Sequence, residues 1–192
     1  MLGRPAPVKQ GWFDLPGRPG DRTLAQQMVG LDLAVDAARG GSLLDVGCAE
    51  AQVTLEFLRQ GTRDAVGVEL VPGHVAVANE QRLRDRAALT LVCMDAEIFD
   101  PTLYQPHGGF NVVLLLAILH KLRDPSLAAR RYGAVAKDLC VVRLPDSGPV
   151  VIDERSQRVP HDITAALGSV GLHLCDELRG TFNEWIGYYG RR

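Results

Sequence analysis

Ser42-Leu43-Leu44-Asp45-Val46-Gly47-Cys48-Ala49-Glu50-Ala51 is the stretch on which the fold turns. A short apolar run ends at Gly47, and Val53 to Leu58 follows with the composition of a helix. Glycine at 47 frees the backbone to turn sharply and leaves amides exposed at a helix N-terminus, while Asp45 sets a carboxylate beside that turn. A carboxylate there suits a cationic group on a ligand. A dinucleotide fingerprint, G-x-G-x-x-G, needs three glycines so that a pyrophosphate can rest on the helix N-terminus, and of these only Gly47 is present. A nicotinamide-dependent oxidoreductase is disfavoured accordingly.

Downstream the beat of strand and helix continues. Ala65 to Leu70 reads as a second strand, Pro72 opens a helix through about Arg86, and Leu89 to Met94 is a third strand. Asp100 to Gly109, with two prolines, is a loop or broken helix, and Phe110 to Leu116 is the most hydrophobic strand. Asp124-Pro125 caps a helix to about Ala136, Leu139 to Leu144 is a fifth strand, Ile163 to Val170 a helix and Leu172 to Glu177 a strand. Thr181 to Tyr189 is a last, aromatic-rich segment whose period does not separate helix from strand. Continuous apolar runs are what strands buried on both faces require, so the alternation predicts a parallel sheet covered on both sides. Ligands of such sheets bind at the carboxyl ends of the strands.

Upstream of the motif, Leu24, Met28, Leu31 and Val35 mark one face of a helix capped by Asp21 and ending before Gly40-Gly41. The first 20 residues carry four prolines and four glycines and read as an arm in which Trp12 and Phe13 are apolar anchors.

The chain has 192 residues, 46% of them hydrophobic, which suits one globular domain. Its longest apolar run, Val112 to Leu119, is eight residues, whereas a bilayer span needs about 20, and no signal-peptide core follows the Arg4-Pro5-Ala6-Pro7 opening. The expectation is a soluble cytoplasmic protein. Charges nearly cancel, 21 Lys+Arg against 23 Asp+Glu, so no global field gathers nucleic acid. Cys48, Cys93, Cys140 and Cys175 form no C-x-x-C pair and read as reduced, mostly buried thiols, with neither a zinc site nor a disulfide framework and no metal expected.

Three acids fall at predicted strand ends on one edge of the sheet. Asp45 ends the first strand, Glu69 ends the second about 20 residues past the turn, where a carboxylate takes a ribose diol, and Asp95 follows the third, within reach of an exocyclic amine.

With these residues in place, the chain resembles the class I S-adenosylmethionine (SAM)-dependent methyltransferases. LLDVGCAEA matches the family's first motif, D-x-G-x-G-x-G; VGVEL, CMDAE and FNVVLLLAILHKL match the ends of its second, third and fourth strands, and the likeness runs from Ser42 to Leu144. The resemblance implies a Rossmann-like, doubly wound α/β fold: a mostly parallel seven-stranded sheet, helices on both faces, the last strand antiparallel. It implies SAM as cofactor, with the backbone of Gly47, Cys48 and Ala49 along the methionine portion and Asp45 near its amino group. Glu69 would take the ribose and Asp95 with Ala96 the adenine, and Leu70 and Leu116 are also expected among the cofactor-binding residues. Ala49 and Ala51 stand where the family often has glycine, and alanine is expected there at negative φ.

In similar proteins the segment after the fourth strand lines the acceptor pocket. Here it offers His120, as a general base for a hydroxyl acceptor or as a structural or cofactor-orienting residue. Lys121 and Arg123 read first as solvated charges and second as ligands of an anionic acceptor. The segment lacks the N-P-P-[YF] and Pro-Cys signatures of amino- and cytosine-methylating enzymes. Residues 1–40 are expected to form an arm and helix that close as a lid, bearing Trp12 and Phe13, over a SAM-binding domain of residues 41–192. The reading is methyl transfer to a small-molecule or carrier-linked acceptor. The alternatives are a non-catalytic SAM-binding partner subunit and a tRNA-modifying enzyme, the latter suggested by Leu119-His120 and Asp124-Pro125.

Overall fold

In the computed structural model, which describes residues 11–106, 108–145, 148–152 and 160–191, the chain enters through two three-residue strands paired in parallel, β1 (Gly11–Phe13) and β2 (Gly20–Arg22). Two short helices follow, α1 (Leu24–Met28) and α2 (Asp32–Ala38). The alternating portion is β3 (Ser42–Val46), α3 (Gln52–Arg59), β4 (Asp64–Glu69), α4 (Pro72–Asp85), β5 (Leu89–Cys93), β6 (Phe110–Leu116), α5 (Pro125–Ala134) and β7 (Ala136–Leu144). A small antiparallel pair, β8 (Val150–Ile152) and β9 (Pro160–Asp162), precedes α6 (Ile163–Gly168), β10 (His173–Arg179) and β11 (Trp185–Gly190). The opening of the arm, residues 1–10, and His107 lie outside the described residues.

Seven strands make one sheet in the order β10-β11-β7-β6-β3-β4-β5. The five strands from β7 to β5 run parallel, while β11 is antiparallel to both β7 and β10. This is the doubly wound sheet that the alternation predicts, with the antiparallel last strand that the family resemblance implies. The chain winds from β3 outward through β4 to β5, then returns to lay β6 on the other side of β3. The carboxyl end of β3 is thus the point where the order reverses, the usual position of a ligand crevice.

Side-chain alternation explains the apolar runs. Leu44 and Val46 of β3, Val113 and Leu115 of β6 and Val142 of β7 point into one cluster with α5 and α6; Leu43, Val112, Leu114 and Val141 point into a second with α2 and α3. Because both faces are covered, both parities are mostly apolar, and the buried exceptions, such as Asp45 and Arg143, have hydrogen-bond partners.

The N-terminal helix departs from its expected form. Thr23, not Asp21, is the N-cap, in a reciprocal capping box with Gln26. Gly30 then breaks the run at φ +74°, where a Cβ would collide with Leu178, so one predicted helix becomes two. The arm holds short strands where none was expected. The thiols also divide differently: Cys48 and Cys140 are buried, but Cys93 and Cys175 are exposed because β5 and β10 lie at the sheet's two edges.

The α1–α2 segment is fastened to the far half of the sheet. Arg143 of β7 is only 2% exposed and donates from Nη1 to Gln27 Oε1 (3.1 Å) and from Nη2 to the carbonyls of Gln27 (2.9 Å) and Val29 (3.0 Å). Burial holds this guanidinium below its ordinary range. The Tyr188 hydroxyl of β11 donates to the Gly30 carbonyl, and burial pushes that phenol up to about 12. Among the described residues no helix is long and apolar enough to cross a membrane.

Candidate functional site

A cavity of about 360 Å³ lies at the carboxyl ends of β3 to β6, and a smaller one of about 30 Å³ lies beside it. Trp12, Gly47, Ala49 and Leu116 line both, so the two adjoin at the β3 turn. Glu69, Leu70, Asp95 and Ala96 line the larger cavity; Asp45, Cys48 and Phe13 line the smaller. The structure thereby gathers every candidate named from sequence except His120. The lining passes from Ile118 to Lys121 and omits that residue, which sits in a 3-10 turn with its Nδ1 shielded from solvent.

The turn after β3 is held open by unusual backbone. Gly47 has φ +76°, and a Cβ there would press on Ile118 at 3.0 Å. Ala49 and Ala51, expected at negative φ, instead adopt φ +49° and +55°, and Ala117 at the end of β6 adopts +55°. Each non-glycine residue in this region costs about 1 kcal/mol, a strain commonly stored where a ligand must approach the backbone. The turn survives the loss of two glycines by keeping their conformation rather than changing it.

Glu69 fixes this turn and offers itself to a ligand at once. Its Oε2 accepts from the Ala49 amide (2.9 Å) and its Oε1 from the Val71 amide (2.8 Å). A carboxylate has about four acceptor sites, so two remain for a diol in the cavity. Next along the edge, Asp95 Oδ1 accepts from the Glu97 amide at 2.8 Å. The Ala96 carbonyl accepts from the buried Tyr132 hydroxyl at 2.6 Å, which pins the loop. Leu70, 60% exposed, forms part of the rim.

Asp45 is wholly enclosed. Desolvation pushes its carboxyl up to about 6, against the Thr54 hydroxyl, which donates to Oδ2 at 2.6 Å, and with the charge of Glu69 adding to the rise. A folded-state value above the unfolded 3.8 means that this group's stabilisation is complete below pH 3.8 and is lost as the pH climbs through about 6. Two units correspond to about 3 kcal/mol. Asp45→Asn keeps an acceptor for Thr54 and should make the protein more stable than wild type at pH 7, by up to that amount, with the gain nearly gone at pH 4. Urea denaturation at the two pH values checks this; an equal difference at both would contradict it. Burial likewise raises the Cys48 thiol well above its usual range, and a Cβ on Gly67 would lie 2.9 Å from its Sγ.

Sequence reasoning missed Glu50. Its side chain is fully buried, and its carboxylate accepts from the amides of Trp12 (3.0 Å) and Phe13 (3.2 Å), binding β1 to the turn. A Cβ on Gly11 would collide with it. His74 lies between the two acids, Nε2 3.5 Å from Glu50 Oε1 and Nδ1 3.8 Å from Glu69 Oε1, and lines the larger cavity. The available signal was a lone acid in a turn otherwise made of small residues.

A family model described as a methyltransferase domain matches residues 43–137. Among solved structures, the N-terminal domain of EvdMO1 in the presence of SAH and D-fucose is similar with a TM-score of 0.66 and 17% identity, over 92% of this chain and 87% of that one. Magnesium protoporphyrin IX methyltransferase (ChlM) from Synechocystis PCC 6803 with bound SAM gives 0.63 and 16%, over 90% and 87%. The [4+2]-cyclase SpnF gives 0.63 and 20%, over 93% and 68%. At these identities the likeness to each is one of fold. No curated protein matches the chain by sequence.

Proposed function

Because the chain belongs to the class I SAM-dependent methyltransferases, we propose that it moves a methyl group from SAM to a small-molecule or carrier-linked acceptor. The observation that carries the site assignment is Glu69: a strand-end carboxylate, oriented by two backbone amides, with acceptor sites left over at a cavity that Asp95 also lines. Glu69 would hold the ribose hydroxyls and Asp95, with Ala96, the adenine. Asp45, in the smaller cavity, would face the cationic amino group, and the Gly47 to Ala49 backbone would follow the methionine chain.

When bound, the cofactor supplies a sulfonium methyl open to in-line displacement. The chain's own work is then to align and to exclude water. A dedicated base is needed only where the acceptor must lose a proton, and His120, outside the lining, is read as a turn residue. Trp12, carried on β1 and latched by Glu50, would close the site as part of a lid.

Calorimetric titration with SAM, SAH and NADH tests the reading. Micromolar binding of both adenosyl ligands and none of NADH is expected, followed by transfer of labelled methyl into a metabolite extract. Absence of adenosyl binding would sink the assignment. Binding without transfer to any acceptor would leave a cofactor-holding partner subunit.

A further inference from the structure

Charges of both signs line the larger cavity, and they are unequally matched. Glu69 is engaged by the amides of Ala49 and Val71, Asp95 by the amide of Glu97. Glu97 takes the Arg123 amide at 2.6 Å and its guanidinium at 3.3 Å, which neutralises Arg123. Lys121 has no such partner. Among the described residues its ammonium makes no ion pair; it faces the Trp12 ring, 5.2 Å from the centroid. Arg22 approaches the same ring at 5.7 Å and sits 4.0 Å over Phe182, and it too forms no ion pair among the described residues, donating instead to the Asp21 carbonyl. Two cations therefore flank one indole of the cavity wall, in a chain whose net charge is −2.

An ammonium over a ring still directs N–H donors away from it, and a cation–π contact satisfies it less than an oxyanion would. Burial holds the Lys121 ammonium below its ordinary range even with Glu69 drawing it the other way. An anion arriving there would recover what desolvation costs, and the low local dielectric would strengthen the pair.

The geometry points to an oxyanion subsite at Trp12: the methyl acceptor bears a carboxylate or phosphate that Lys121 holds at the cavity wall, with Arg22, outside the lining, adding its charge through its place at the same ring, while the acceptor's reacting atom lies deeper. This rests on the methyltransferase reading. The cofactor's own carboxylate is not the group concerned. It shares a carbon with the amino group, which belongs with Asp45 in the smaller cavity, and Lys121 lines the larger cavity alone. The subsite chooses the acceptor by charge, where the apolar wall of Leu116 and Ile118 chooses only by shape.

The test is titration of benzoate, phenyl phosphate and neutral benzamide into wild type, Lys121→Met and Arg22→Gln, each free and saturated with SAH. Both anions are expected to bind the SAH complex at least tenfold more tightly than benzamide, the margin shrinking with salt, and Lys121→Met is expected to lose at least fivefold of that margin. Equal binding of benzamide, an undiminished margin in Lys121→Met, or displacement of the anions by SAH would overturn the subsite. So would a single-stranded RNA oligonucleotide that binds more tightly than either small anion. Failure of SAH to bind would strike the cofactor reading instead, and the titrations into free protein would still decide the subsite by the same margins.

Discussion

Glu69→Ala is expected to weaken SAH binding by about 100-fold or more. A diol donating two hydrogen bonds to a carboxylate makes charge-assisted contacts worth roughly 1.5–3 kcal/mol each, and about 3 kcal/mol is a factor of about 100 in affinity. The substitution has a second effect, since the amides of Ala49 and Val71 both lose their acceptor. The strained Ala49 conformation then loses the bond to its own amide, and the turn, still held by the backbone bonds of Gly47, Cys48 and Ala51, should shift toward negative φ at Ala49. Glu69→Gln separates the two effects. It keeps one carbonyl oxygen for an amide and should recover much of the stability lost by alanine while recovering little of the affinity. Calorimetry and urea denaturation on the same samples read both quantities. An alanine variant that bound SAH within threefold of wild type would remove Glu69 from the site.

Glu50→Gln should open the arm without unfolding the sheet. Two amides of β1 share the buried carboxylate, and an amide side chain offers one acceptor oxygen and an opposing NH₂. One charge-assisted bond is lost, and the NH₂ is set against the second backbone N–H, together weakening docking by about 2–3 kcal/mol. Bound SAH is expected to dissociate at least tenfold faster, and Trp12 to become more accessible to acrylamide quenching. Trp185, buried at 3% exposure, contributes a constant background to that signal. Stopped-flow release of SAH and steady-state quenching give the two readouts. Faster release with unchanged quenching would place Glu50 in the cofactor seat and not in the latch.

Much of the sheet was legible because its strands obey one strong rule. Phe110 to Leu116 must be apolar at nearly every position when both faces are covered, and no other element of this length has that pattern. The acids at 45, 69 and 95 were legible for a related reason: a charged residue at the end of such a run marks the edge where solvent and ligand begin. What was not legible depends on contacts distant in sequence. The space beside Gly30 is filled by Leu178, and Glu50 matters because of Trp12 and Phe13, at separations no local pattern spans. The conformations of Ala49 and Ala51 escaped for a different reason. Alanine's preference for negative φ is a matter of about 1 kcal/mol, and at Ala49 the amide bond to Glu69 outweighs it. Trp12 was singled out by its type, yet its place between Lys121 and Arg22 required the fold.

The anchoring of α1 and α2 by Arg143 and Tyr188 orders events during synthesis. The α1–α2 segment is made before either of its holding groups, which lie 116 and 158 residues later. At about 5–20 residues per second, roughly 10–30 s separate the making of Gly30 from the making of Tyr188. For that interval the carbonyl of Gly30, between α1 and α2, lacks its partner. The strand β11, which borders β7 in antiparallel sense, is thus also the one that pins the junction of α1 and α2, so that junction settles only after the sheet has received it.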